Sequence, residues 1–169
     1  MLILRRLASV LVVSSGLTLA ACGGGGAFIA ASSAMSVSED GSDGAEPQCG
    51  REGIPRAGAP AMSEAYVEIE RRMGAEPEDR FRVEVTGLPI GTVVDVWLEA
   101  PDAPDVYALV GTLSIGDGHD GVLQRSTNVG DLLPYGVLTV TRLVGLGLEL
   151  RSPTGLVLFA GTVPALDAR

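Results

Sequence analysis

Residues 65–86 read AYVEIERRMGAEPEDRFRVEVT. Two runs of period two flank a turn-forming GAEPED. In the first run Ala65, Val67 and Ile69 share one face, with Glu68, Glu70 and Arg72 on the other. In the second, Phe81, Val83 and Val85 oppose Arg80, Arg82 and Glu84. Strict alternation is the pattern of a half-buried strand. If facing residues sum to 150, Ile69 meets Phe81, Val67 meets Val83, Glu70 meets Arg80 and Glu68 meets Arg82. Opposite charges across strands contribute about 0.2–1 kcal/mol per pair. A sum of 152 would set Arg72 against Arg80 and Glu68 against Glu84, so charge selects the first register. A helix is the rival reading: Met62, Tyr66, Ile69 and Met73 fall at helical spacing behind a capping Ser63. The charge pairing favours the strand.

The same alternation continues downstream. TVVDVWLEA sets Val94, Val96 and Leu98 against Asp95, Trp97 and Glu99, and VYALVGTLSI, GVLQRST, LGLELRS and LVLFAGTV follow. Turn signals separate these runs: GLPIG, APDAP, GDGHDG and SPTG. About seven short strands with such turns predict an all-β fold, an antiparallel β-sandwich or small barrel, over residues 64–165. With 46% hydrophobic but only 4% aromatic residues, its core has to be built from Val, Leu, Ile and Ala. In GDLLPYGVLTVTRLVG, Thr139 or Thr141 is placed to cap one short helical turn, laying Leu138 and Leu143 over an open end of the sheet.

Ahead of the domain the composition changes. Residues 22–63 are Gly-, Ala-, Ser- and Pro-rich with acidic SEDGSDGAEP, which predicts a flexible tether. Some 40 such residues span roughly 35 Å as a random coil. Phe28 and Ile29 offer at most one short contact. Residues 166–169 read as a tail. At the start, Met1–Arg6 carries Arg5 and Arg6, and LASVLVVSSGLTLAA follows, the layout of a signal peptide over residues 1–21. The two Arg and the glycines at 23–26 argue against a spanning helix.

Leu19-Ala20-Ala21-Cys22 resembles the lipobox of bacterial lipoproteins. That resemblance implies a diacylglycerol thioether on Cys22, cleavage before it and further acylation such as palmitate, with Cys22 the first mature residue. It implies a lipid-anchored protein of the bacterial cell envelope, exported and held to the membrane through Cys22. With Gly23 rather than Asp next, the outer membrane is implied in a diderm. Acyl chains add about 0.8 kcal/mol per buried methylene, and several make a stable anchor. Losing residues 1–21 removes two Arg and no acid, so a formal charge of −9 becomes −11. If Cys22 is a thioether, Cys49 is an odd thiol, either free or joining two chains as a disulfide dimer.

Two further resemblances concern the domain. VTGLPIGTVVDVWLEA, residues 85–100, looks like a strand-turn-strand motif of fibronectin type III domains. Val94 stands where that family has Tyr, and four strands follow where the family has two, so its fold is not adopted. Residues 65–163 also resemble small all-β modules of exported bacterial proteins.

All twelve basic residues are Arg. The lack of Lys excludes a P-loop lysine or Schiff base, and an acidic chain with scattered Arg does not predict nucleic-acid binding. His119, the single histidine, lies in GDGHDG. Asp117, His119 and Asp120 could offer ligands to Ca²⁺, although no Glu follows at EF-hand spacing and the same letters make a hairpin turn. A catalytic triad would need His119 with Ser114 or Ser126, without a nucleophile elbow. Carboxylate pairs for glycoside chemistry exist at Asp102/Asp105 and Glu68/Glu70, the first in a turn and the second on a face expected to be solvated. Trp97 shares a face with Asp95 and Glu99, and with Tyr107 on the next strand it forms a candidate binding patch for a glycan or envelope partner. The expectation is a non-catalytic structural or interaction module without cofactor; the alternative is an exported glycan- or ligand-binding domain.

Overall fold

The computed structural model describes residues 46–168. Among the described residues nine strands are formed: β1 Gln48–Gly53, β2 Glu64–Arg72, β3 Glu78–Thr86, β4 Val93–Ala100, β5 Ala103–Ser114, β6 Asp120–Ser126, β7 Gly147–Arg151, β8 Val157–Thr162 and β9 Asp167–Ala168. They make two antiparallel sheets, ordered β6-β3-β2-β1-β9 and β5-β4-β7-β8. The chain crosses from the first sheet to the second after β3 and returns after β5, so β6 lies beside β3 in a Greek-key arrangement.

β2 and β3 pair in the register that charge selects, with Val67 opposite Val83, Ile69 opposite Phe81, Glu68 opposite Arg82 and Glu70 opposite Arg80. The helical reading of 62–73 fails because Val67 and Ile69 bury fully, and the alternation serves a sheet instead. The core joins the inner faces of both sheets: Val67, Ile69, Phe81, Val83 and Val85 from one, Val94, Val96, Leu98, Leu148, Leu150 and Phe159 from the other. Each is buried because the pleat sends alternate side chains to one side.

At one end the crossings 87–92 and 115–120 are tied together. The Gly87 N–H donates to His119 O at 2.9 Å, and Thr92 O accepts from the Ile115 N–H at 2.9 Å. At the other end, residues 127–142 form three single 3-10 turns. Thr139 caps the last, accepting from the Thr141 N–H. Leu143 is buried as expected, but Leu138 points to solvent and Val140 takes its place, because the turn begins only after Leu138.

The tether boundary at residue 63 requires correction. Gln48–Gly53 is a strand, its six residues paired with Tyr66–Arg71 of β2. Cys49, Ile54 and Ser63 are buried, and the Ser63 hydroxyl donates to Pro60 O at 2.6 Å. The expected tail also belongs to the domain: Leu166 packs against the core and β9 pairs with β1. The signal peptide 1–21, Cys22 and the first part of the tether lie outside the described residues. Cys49 is disulfide-bonded, which corrects the alternative of a free thiol there.

Candidate functional site

The expected aromatic patch is assembled on the outer face of the four-stranded sheet. β4 presents Asp95, Trp97 and Glu99 outward. An irregularity between Val96 and Trp97 shifts the pairing with β5, setting Leu109 opposite Trp97 and Tyr107 opposite Glu99. β7 sets Glu149 opposite Trp97 and Arg151 opposite Asp95. The two rings therefore share a neighbour that the sequence reading missed. The Arg151 guanidinium carbon lies 4.7 Å from the Trp97 ring centroid and 5.7 Å from that of Tyr107. Glu149 holds it there, with Oε2 accepting from Arg151 Nε at 2.7 Å and Nη2 lying 2.6 Å away. Cation–π contacts of this kind contribute about 0.5–1 kcal/mol when exposed and more when desolvated. The signal for Arg151 was present in LGLELRS, since Glu149 and Arg151 alternate outward. Its position over Trp97 needed the β4–β7 pairing.

Two further contacts fix the patch. The Glu99 carboxylate accepts from the backbone N–H groups of Asp105 and Gly147, each at 2.8 Å. These bonds, Asp105 first, hold its pKa below the ordinary glutamate value. Tyr107 is pushed above the ordinary tyrosine value, chiefly by burial and then by Glu149, Glu99 and Asp105. A Cβ at Gly147 would collide with the Tyr107 hydroxyl, so glycine there admits the ring. The result is an aromatic pair whose shared face is filled by an ion-paired arginine. A sugar ring stacking there would have to displace Arg151 from both rings and break its pairing with Glu149.

The other candidates are separated. His119 adopts φ 59° in the turn after β5. The turn is closed by the Gly116 N–H on Asp120 O at 2.9 Å and the His119 N–H on Gly116 O at 3.0 Å. The His119 Nδ1 lies 3.3 Å from Leu88 O. Asp117, His119 and Asp120 are all exposed, and no group of three His, Cys, Asp or Glu among the described residues is placed to hold a metal. Ser114 is exposed at the end of β5. Ser126 ends β6, where its hydroxyl donates to Glu78 Oε1 at 2.6 Å and accepts from the Asn128 N–H. His119 and Ser126 flank that strand at opposite ends, roughly 20 Å apart at strand rise.

The expected solvation of Glu68 and Glu70 is not observed: both are buried on the outer face of the five-stranded sheet. Three arginines bind them. Arg80 Nη2 lies 3.3 Å from Glu68 Oε1 and also bonds Glu70. Arg72 Nε donates to Glu70 Oε1 at 2.6 Å, and Arg51 approaches Glu68 at 3.8 Å. Arg82, opposite Glu68, pairs with Glu84 at 3.1 Å. Carboxylates bound this way act as structural anions. Asp102 contacts Arg142 at 3.6 Å, with both side chains exposed.

Comparison with known proteins gives no matching family model and no matching solved structure. A curated protein of Verminephrobacter eiseniae, named chorismate synthase, is 35% identical over 78 residues, covering 43% of this chain and 21% of that protein. The chain thus matches about a fifth of the length of that relative. The overlap is too short a part of that protein to assign its activity.

Proposed function

We propose that the chain is a lipid-anchored protein of the bacterial cell envelope whose β-sandwich serves a structural or interaction role rather than a catalytic one. The observation that carries this reading is Leu19-Ala20-Ala21-Cys22 at the end of an apolar run behind Arg5 and Arg6. Several acyl chains on one terminus make a stable anchor, and a mature charge of −11 gives no attraction to anionic lipid, so the lipid would provide the attachment. Glu68 and Glu70 are held by arginines and His119 sits in a turn, which supports a structural role for these residues. The alternative of glycan binding at Trp97 and Tyr107 is disfavoured by Arg151, which fills their shared face.

The test is mass spectrometry of the chain isolated from bacterial membranes. The proposal expects a mature N-terminus at Cys22 with added diacylglycerol and fatty-acyl mass. An intact Met1, or an unmodified Cys22, overturns it. The chain has two cysteines, so a thioether on Cys22 requires the disulfide of Cys49 to join two chains, whereas a disulfide between Cys22 and Cys49 overturns the anchor. The same spectrum separates these states.

A further inference from the structure

β6 forms one edge of the five-stranded sheet, and its alternation contains an exception. Gly121 and Leu123 are buried, with Leu123 opposite Val83. Arg125 takes the next inward position, opposite the fully buried Phe81. An arginine on the core side of a strand needs either a partner or an opening for its charge. Of the nine described arginines, seven pair with carboxylates and Arg56 donates to Ala61 O. The Arg125 guanidinium has no ion-pair or hydrogen-bond partner among the described residues.

Arg125 lines an open groove of about 550 Å³ between β5 and residues 130–135. Small-molecule sites span roughly 300–1,000 Å³. Leu109, Leu132 and Tyr135 give it apolar walls, and Arg125 and Asp131 supply one charge of each sign. No ion pair joins the two, so neither neutralises the other. The wall at Tyr135 is held in place: its backbone has φ 61°, and its hydroxyl donates to Leu98 O. That region is uncommon for a bulky residue, and strain of this kind persists where the surroundings fix it, often beside ligands.

We propose that this groove binds a free amino acid with an apolar side chain. The α-carboxylate pairs with Arg125, the α-ammonium pairs with Asp131, and the side chain lies against Leu109, Leu132 and Tyr135. Charge selects this occupant. Arginine matches a carboxylate through two parallel hydrogen bonds. A phosphate would bring excess negative charge against Asp131, and a purely apolar ligand would desolvate both charges without pairing either. A zwitterion satisfies both. The site lies apart from the Trp97 patch, goes beyond the interaction role proposed above and does not depend on Cys22. An inward arginine can also serve only to guard a strand edge from pairing, and the test separates the two roles.

The test titrates leucine into the full chain in mild non-ionic detergent, read by calorimetry. Saturable binding is expected. Leucinamide lacks the carboxylate charge and N-acetyl-leucine lacks the ammonium. Each should bind at least about tenfold more weakly, the loss of one charge-assisted interaction. Arg125→Gln should abolish leucine binding. Asp131→Asn should weaken leucine at least about tenfold without weakening N-acetyl-leucine. Asp131 is exposed, so this variant should melt with the parent and carries the test if Arg125→Gln does not fold. Absence of saturable leucine binding overturns the proposal and leaves Arg125 an edge guard. Equal binding of the three compounds also overturns it, as adhesion to apolar walls alone. The mass of Cys22 in the same preparation reports the anchor separately, so the two readings fail independently.

Discussion

Gly50 shows how one residue can be misread. In QCGREG it looks like linker glycine, yet a Cβ there would run into the backbone carbonyl of Ala165. The glycine admits the C-terminal segment against β1. Gly50→Ala is therefore expected to cost about 1–3 kcal/mol, the range for overpacking, in a denaturant titration. Gly53→Ala is the control, because its Cβ would meet only the Tyr66 ring at 3.8 Å. Glu99 gives a second prediction. Its folded pKa is lowered by the Asp105 and Gly147 N–H groups, so its contribution to stability is complete above the ordinary glutamate value and is lost as pH falls through the lowered one. Glu99→Gln should flatten that part of the acid limb in a melting-temperature series against pH. An unchanged acid limb would assign the titration to other carboxylates.

The two outer faces of the sandwich are tied by different chemistry. On the five-stranded sheet, Glu68 and Glu70 lie beneath Arg51, Arg72 and Arg80. Glu70→Ala would strand Arg80 and Arg72. Removing one partner of a buried pair costs 3–5 kcal/mol, and the partial exposure of both arginines lowers the expectation to about 2–3 kcal/mol. A double-mutant cycle with Arg80→Leu, which also removes a partner of Glu68, measures how much of the loss belongs to the Glu70–Arg80 pair. On the four-stranded sheet, Trp97 is the single tryptophan, so its fluorescence reports the patch alone. Arg151→Ala should uncover the ring and shift its emission to longer wavelength. The strands that position both faces were legible in the alternation of VEIER, RFRVEV and VDVWLEA. β1 was not legible, because QCGREG has two glycines and no apolar alternation, and its pairing with β2 is what makes it a strand.

For the whole molecule, the corrected boundary has a measurable consequence. β1 pairs along β2 and contributes Cys49 to the buried set, with Ile54 immediately after it. A chain beginning at residue 46 is expected to melt cooperatively, whereas one beginning at Ser63 should lose the cooperative transition in calorimetry. An equal melt for both would restore the tether to residue 63.

Fold class, the β2–β3 register and the core positions followed from the sequence alone. They rest on local alternation and on charges within reach across one hairpin, and both can be read along the chain. The sequence also contains the lipobox-like stretch that carries the functional proposal. Tertiary structure decided what depends on distant segments meeting: β1 and β9 joining the first sheet, Leu138 yielding its buried place to Val140, arginines closing over Glu68 and Glu70, and Arg151 filling the face between Trp97 and Tyr107. In each case the partner lies on another strand or turn. A one-dimensional pattern states which side a residue faces, while the packing of the sheets determines what it finds there.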